Sequence, residues 1–216
     1  HARIAQPADM NAPLALIAHD LKNALGALES QLEGMIDEPT PVAAQRAHMQ
    51  CTELRRQFVQ FLTLYSAESG GLRALSEDES PQDLLMAMQR IWQLKCQTEH
   101  RALDIRITQP GRVPDFWYFD RRLVQLALDA AIHNAQRFAR TWIELSVREE
   151  AHGLVWQVRD DGPGLGSKNP GTEHATGLGT SLAEAVAKAH RLGERCGKVS
   201  LTSGPSGGTT FELWLP

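Results

Sequence analysis

Apolar residues in the first third of the chain recur at alternating intervals of four and three residues. One series consists of Leu14, Ala18, Leu21, Leu25, Leu28, Leu32 and Met35, and a second of Ala47, Cys51, Leu54, Phe58, Phe61 and Tyr65. This heptad spacing is typical of helices that pack at a shallow angle. Residues 37–41 separate the two series and contain two prolines, which end a helix because proline lacks an N–H donor and clashes with the preceding turn. The pattern predicts an antiparallel helical hairpin over residues 1–70.

The apolar stripes of this hairpin are too extensive for one hairpin to cover. Two helices shield each other along a single line of contact, so part of each stripe stays exposed in one chain. Two copies that pair into a four-helix bundle would cover the remainder. We therefore expect a homodimer built on residues 1–70.

The hydrophobic pattern changes after residue 70. Residues 71–80 are rich in Gly, Ser and acidic residues, which predicts a linker ahead of a second domain over 81–216. Alternation of apolar and polar residues predicts strands near 103–107, 116–119, 143–147, 154–158, 199–202 and 210–215. Helical spacing predicts helices near 84–95, 121–138 and 180–192. The mixture predicts an α+β sandwich with a mixed sheet and helices on one face.

Composition and charge exclude several classes of protein. Apolar residues make up 42% of the 216 residues and charged residues 22%, with a net charge of −4, as in an ordinary globular protein. No basic block predicts binding to nucleic acid or to a membrane surface, and no apolar run approaches the ~20 residues of a spanning helix. The three cysteines form no C-x-x-C pair, so we expect no zinc site and a reducing, cytoplasmic location. The chain begins with His1 rather than Met, which predicts a fragment.

Three glycine clusters follow one another in the second half: DDGPGLG at 160–166, GLGTS at 177–181 and GPSGGTT at 204–210. A single cluster more often marks a surface turn than a ligand site, because many turns need glycine. The middle cluster, with Gly177, Gly179 and Thr180, leads directly into a predicted helix. A helix N-terminus offers free N–H groups to phosphate. It is not a Walker loop, since no Gly-Lys-Ser/Thr follows.

Three polar residues near these clusters suit a nucleotide and its metal ion. Asn134 lies on the predicted helix 121–138, and its amide oxygen could bind magnesium, which prefers oxygen ligands and substrate phosphates. Arg137, nearly one turn later, could face phosphate oxygens. Asp160 ends a predicted strand, and its carboxylate could accept a hydrogen bond from an exocyclic amine such as that of adenine.

The ordered set of motifs resembles the ATP-binding domain of sensor histidine kinases, within the Bergerat-type ATPase superfamily that includes gyrase. HNAQRF is similar to the N box, Asp160-Asp161-Gly162-Pro163-Gly164 to the first G box, Gly177-Leu178-Gly179 to the second, and GGTTFELWLP to the final box and strand. The resemblance implies ATP and Mg²⁺ as ligands, with Asp160 on adenine, Thr209 supporting Asp160 through water, and Asn134 on the metal. It also implies nucleotide contacts from Gly162, Gly164, Gly177, Gly179 and Thr180. The segment 167–176 would be the ATP lid.

The same resemblance gives a role to the polar residues on the first helix. His-Asp-Leu-Lys-Asn at 19–23 is similar to the H box of histidine kinases, whose histidine is phosphorylated. The resemblance makes His19 the phosphoacceptor and Asp20 its acidic partner, places Lys22 near the phosphoryl group, and lets Asn23 orient a water in dephosphorylation of a partner aspartate. It implies a response-regulator receiver domain as partner. On this resemblance the chain would be a cytoplasmic protein or the cytoplasmic part of a larger, membrane-anchored sensor.

Several positions depart from the family pattern. Ala24 stands where many members have proline, which predicts a first helix without the usual bend, and Ala130 stands where gyrase-like relatives have a general-base Glu. The short lid keeps open an alternative: a non-catalytic histidine phosphotransfer or scaffold protein with a degenerate ATP-binding domain. A gyrase-like ATPase lacks the base and leaves the H box unexplained. The leading hypothesis is a histidine autokinase core.

Overall fold

The computed structural model describes residues 12–165, 178–204 and 207–216. The chain divides into two compact units, His1–Gly71 and Leu72–Pro216. Within the described residues, no helix combines the length and apolar character needed to cross a bilayer.

The first unit is a helical hairpin, as the heptad pattern predicted. Helix α1 (Ala12–Asp37) runs without interruption through Ala24, and α2 (Pro41–Glu68) follows after a short turn. Thr40 caps α2, because its side chain accepts a hydrogen bond from the N–H of Ala43 while Pro41 occupies the first turn, where no N–H is needed.

One hairpin leaves part of each apolar series exposed. In α1, Leu14, Leu21 and Leu28 are buried, whereas Leu25 and Leu32 remain 48% and 47% exposed. In α2 the exposed members of the series are Cys51, Phe58 and Tyr65. The seven-residue repeat therefore divides into one set that packs inside the hairpin and one set that faces outward.

The second unit is an α+β sandwich with a mixed sheet, which confirms the predicted fold class. Its elements in chain order are β1 (Glu77–Glu79), α3 (Pro81–Thr98), β2 (Asp104–Ile107), β3 (Trp117–Phe119), α4 (Arg121–Phe138), β4 (Trp142–Glu150), β5 (Gly153–Asp160), α5 (Leu178–Ala189), β6 (Arg191–Leu192), β7 (Arg195–Cys196), β8 (Lys198–Ser203) and β9 (Thr209–Leu215). The five-stranded sheet has the order β2-β4-β5-β9-β8. The β2–β4 pair is parallel, and the other three pairs are antiparallel.

The core lies between this sheet and the helices α3, α4 and α5. Alternate residues of β4 and β5 point into it, and the fully buried Trp156 meets Phe119 edge to face at 5.6 Å between ring centroids. The residues between them point to the other face of the sheet and include polar side chains, such as Arg148, which donates a hydrogen bond to the Glu212 carboxylate on β9 at 3.0 Å. Period-two burial of this kind fixes the register of each strand.

The predicted segment boundaries differ from the structure in two places. The stretch 71–80 contains β1, which pairs with β3, and the N–H of Leu75 donates to the Asp120 carboxylate at 2.8 Å. The predicted helix 180–192 is found as α5 (Leu178–Ala189), after which the chain forms the β6–β7 hairpin, with Gly193, at φ +60°, in the turn between the two strands. The N–H of Gly197 donates to the carbonyl of His190 and closes that hairpin.

Because the ring of His190 is buried, we expect acid to destabilise the second unit. Nδ1 of this ring donates to the Val186 carbonyl at 2.8 Å, so Nε2 is left to accept the N–H of Asp120 at 3.0 Å. Burial lowers the pKa of His190 below its usual 6.5, although the Val186 bond and the Asp120 charge oppose the shift. The unfolded chain therefore binds the proton more readily, and stability present above pH 6.5 is lost as the pH falls below it.

Urea unfolding of the full chain at about pH 7.5 and about pH 5.5 measures this loss. Tryptophan fluorescence reports on the second unit alone, because all five tryptophans lie in it. The His190→Gln variant should be less stable by about 2 kcal/mol at the higher pH and should have a flatter pH dependence. An unchanged pH dependence in that variant would assign the acid sensitivity to other groups.

Candidate functional site

His19 lies exposed on α1 with two polar side chains at the same ring nitrogen. The amide nitrogen of Asn23 is 3.2 Å from Nδ1 and the carboxylate of Asp20 is 3.6 Å from it, while the imidazole is 64% exposed. Lys22 is exposed on the same helix. Asn23 can donate to Nδ1 only when that nitrogen carries no proton, whereas Asp20 can accept from it only when it does, so the two contacts serve different tautomers of the ring. Nε2 is the nitrogen at the opposite edge.

Asp160 is a buried carboxylate where β5 ends. It is 5% exposed and accepts hydrogen bonds from the N–H groups of Gly162 at 2.8 Å and of Thr209 at 3.3 Å. Burial raises its pKa, and the nearby charge of Asp161 adds to this, although the bonds from Gly162 and Thr209 act in the opposite direction. A carboxylate held in this way is a strong acceptor for a donor that enters from outside.

Two glycines are required around Asp160 because the backbones approach closely. The N–H of Gly208 donates to the Gly162 carbonyl at 2.6 Å, and a Cβ on Gly208, at φ +82°, would lie 2.3 Å from the Asp160 carbonyl oxygen. A Cβ on Gly162 would lie 2.7 Å from the carbonyl oxygen of Phe138, the last residue of α4. The first and third glycine clusters therefore pack against each other and against the end of α4. Gly164, at φ +88°, continues the first cluster.

Helix α4 carries the two other polar candidates. Asp120 caps it by accepting the N–H groups of Arg122 and Leu123, and Asn134 and Arg137 are exposed in its last turns. A Cβ on Gly179 would lie 3.5 Å from the Cβ of Ala130, one turn before Asn134. The start of α5 therefore packs against the same helix.

The structure brings together most of the residues predicted from the second-half motifs. Asp160, Gly162, Gly164 and Thr209 form one cluster at the end of α4, and Gly179 packs on that helix, with Thr180 exposed beside it. Gly177 and the proposed lid 167–176 lie outside the described residues.

Sequence reasoning missed Asp161, which was considered only as part of the glycine motif. Its carboxylate accepts the N–H groups of Arg140, Thr141 and Trp142 and the hydroxyl of Thr141. Although partial burial disfavours the charge, these hydrogen bonds hold the pKa of Asp161 at about 2. The donors lie about twenty residues earlier in the sequence, so no local pattern could reveal the contact.

The donor set around α4 fits an adenine nucleotide with a divalent cation. In the described parts of the chain, no group of three or more His, Cys, Asp or Glu side chains could hold a metal ion. A magnesium ion here could take the amide oxygen of Asn134 and complete its shell with phosphate oxygens and water, as magnesium commonly does.

Most of the second unit is similar to a known family of ATPases. Residues 119–216 match the family described as histidine kinase-, DNA gyrase B-, and HSP90-like ATPase. The sensor histidine kinase CpxA of Escherichia coli is 30% identical over an alignment of 122 residues that covers 50% of this chain and 25% of CpxA. The sensor protein RstB of E. coli is 24% identical over 216 residues, covering 93% of this chain and 47% of RstB. The chain thus spans less than half the length of these relatives.

Solved structures share the fold of this chain. The histidine kinase AdeS of Acinetobacter baumannii has a TM-score of 0.72 at 21% identity, over 91% of this chain and 96% of that one. The histidine kinase ThkA, solved in complex with the response regulator TrrA, has a TM-score of 0.67 at 14% identity, over 96% of this chain and 61% of that one. At these identities the likeness shows the fold.

Proposed function

We propose that this chain is a sensor histidine kinase core, in which residues 119–216 belong to the ATP-binding domain, and that it transfers the γ-phosphoryl group of ATP to its own His19. The observation that carries the proposal is the exposed imidazole of His19, with the Asn23 amide 3.2 Å and the Asp20 carboxylate 3.6 Å from its Nδ1, on a chain whose second unit has a buried, hydrogen-bonded carboxylate at Asp160.

The chemistry follows from the two nitrogens of the ring. Nε2 attacks the γ-phosphorus of ATP in line, an N–P bond forms, and the bond from phosphorus to the bridging oxygen breaks, which releases ADP. The ring gains positive charge as the bond forms. Asp20, 3.6 Å from Nδ1, stabilises that charge and can take the Nδ1 proton.

The second unit would bind and orient the nucleotide. Asp160 accepts the adenine amine, with Thr209 beside it, and Arg137 and the N-terminal turn of α5, with Thr180, face the phosphates. Asn134 would hold a magnesium ion, which supplies charge neutralisation at the phosphates when bound. The alternative of a non-catalytic phosphotransfer protein predicts no such transfer.

The experiment that tests the proposal is incubation with γ-labelled ATP and Mg²⁺, followed by acid and alkali treatment of the labelled chain. A phosphoimidazole is labile in acid and stable in alkali, whereas a phosphoserine behaves in the opposite way. Label with the first behaviour supports the autokinase. Absence of label, with nucleotide still bound, would favour the non-catalytic alternative.

The outward set of heptad residues supports a homodimer. Leu25, Leu32 and Phe58 are about half exposed in one chain, and a second hairpin in a four-helix bundle would cover them. Sedimentation of the full chain tests this, and a monomer at all concentrations would contradict it.

We further propose that the phosphoryl group passes to an aspartate of a response-regulator receiver domain and that Asn23 assists its later hydrolysis. The amide of Asn23 reaches the ring edge of His19, so it is placed to hold a water beside a docked receiver aspartate. Removal of one positioning hydrogen bond costs about a hundredfold in rate. Asn23→Ala should therefore keep most autophosphorylation and slow the decay of a phosphorylated receiver by about that factor.

The measurement follows the decay of a separately phosphorylated receiver with the parent chain or the variant in the presence of ADP. Ser30→Ala is the matched control, because Ser30 is exposed on the same face of α1, two turns after Asn23. If Asn23→Ala accelerates decay as well as the parent does, then Asn23 has no part in the hydrolysis.

A further inference from the structure

The carboxylate of Asp161 continues the β4–β5 ladder beyond the point where the β5 backbone leaves it. The last paired residues of this ladder at that end are Ile143 and Asp160. Beyond them the N–H groups of Trp142, Thr141 and Arg140 donate to Asp161 at 3.3, 3.0 and 2.8 Å, and the hydroxyl of Thr141 adds a fourth donor. One side chain therefore binds the whole connection between α4 and β4.

This contact joins the two segments that carry the nucleotide residues. On one side is the end of α4, where Ala139 caps the helix by donating its N–H to the Ala135 carbonyl at 2.7 Å. On the other side is the glycine loop that begins at Asp160, directly before Asp161 in the chain. The same two segments touch again where the Phe138 carbonyl approaches Gly162.

We propose that Asp161 is a positioning residue that holds α4, with Asn134 and Arg137, at a fixed distance from the Asp160 loop. The inference rests on the proposed function, because it requires one ATP molecule to reach both sides at once. The adenine lies against the loop, and the metal and phosphates lie against α4. An error of about 1 Å in the separation of two such half-sites can cost about a hundredfold in rate.

The charge of Asp161 suits it to this role. Two carboxylate oxygens can accept all four donors, and a pKa of about 2 keeps the group ionised at any physiological pH. An asparagine in its place has the same shape but only one acceptor oxygen, and its NH₂ group would face the N–H donors. Substitution by asparagine should therefore loosen the connection while keeping most of the packing.

The experiment compares two ligands on the full chain, adenosine and Mg²⁺-ATP, because adenosine needs only the Asp160 half of the site. The readout is the ratio of the two dissociation constants, which measures how well the half-sites act together. In Asp161→Ala, the advantage of ATP over adenosine should fall about tenfold, and adenosine affinity should change less than about threefold. Asp161→Asn should give a smaller loss in the same direction. Asp115→Ala, at an exposed position, is the matched control and should leave the ratio unchanged.

Each result decides between positioning and simple stabilisation. Equal weakening of both ligands, or no change in either, overturns the positioning role and leaves the proposed function intact. If the alanine variant does not fold, the asparagine variant provides the ratio, and failure of both to fold assigns Asp161 to stability alone. If the parent chain binds neither ligand, the nucleotide site itself is misassigned and the positioning role falls with it.

Discussion

Replacement of His19 by alanine is expected to abolish label incorporation from γ-labelled ATP and to leave nucleotide affinity within about twofold of the parent value. The imidazole is the proposed nucleophile, and methyl has no lone pair to attack phosphorus, so the loss should be complete rather than partial. The residues proposed to bind the nucleotide lie in the other compact unit, between Asn134 and Thr209, and none of them is altered.

The matched control for this variant is His48→Ala, because His48 is exposed on α2 of the same hairpin. It should be labelled at the parent rate. Circular dichroism of both variants tests whether the hairpin is retained. We expect it to be retained in His19→Ala, because His19 packs no apolar surface into it. Labelling of the His19 variant at the parent rate would refute the assignment of the phosphoacceptor.

The periodic parts of the fold could be predicted from the sequence alone. Helix α4 has the predicted limits, 121–138, because a capping aspartate precedes it and its apolar residues keep a helical spacing throughout. The β4–β5 hairpin could likewise be predicted, because apolar core residues recur at every second position from Ile143 to Val147 and from Leu154 to Val158. In both cases the local pattern and the tertiary packing favour the same structure.

Two segments could not be predicted from their local sequence pattern. Strand β1 consists of Glu77, Asp78 and Glu79, whose acidity indicates a linker, and only its pairing with β3 makes it a strand. The end of α5 was misplaced because Leu192 continues the apolar series, although it is 60% exposed in the β6–β7 hairpin. Tertiary hydrogen bonds, rather than local propensity, fix both segments.

The candidate site likewise contains residues that the sequence could indicate and residues that it could not. Motif order could indicate Asp160, Asn134 and the glycines, since each motif is short and continuous in the chain. The contact between Asp161 and residues 140–142 joins segments about twenty positions apart, and an aspartate beside another aspartate has no distinguishing pattern. The split of the heptad series into inward and outward sets also needed the structure, because both sets are equally apolar in sequence.

Replacement of Asn134 by alanine should lower Mg²⁺-dependent autophosphorylation by about a thousandfold, because a metal ion at transferring phosphates supplies several kcal/mol of charge stabilisation. Asn134 is exposed on α4, so its loss should not disturb the core, and the melting temperature should stay within about 2 °C of the parent value. Adenosine affinity should be unchanged, since the proposed adenine contact is Asp160.

The control variant for Asn134 is Glu184→Ala, at an exposed position in the middle of α5, which should keep the parent rate. The rate is measured over a series of Mg²⁺ concentrations. A lost metal ligand weakens the apparent metal affinity, so the Asn134 variant should need more Mg²⁺ for half-maximal rate and should recover part of its rate at high concentration. An unchanged Mg²⁺ dependence with a reduced rate would place Asn134 on the phosphates rather than on the metal. Parent activity at every Mg²⁺ concentration would show that Asn134 is not part of the site. No neighbour could replace it as a ligand, because among the described residues no other side chain with an oxygen is comparably exposed on the last turns of α4.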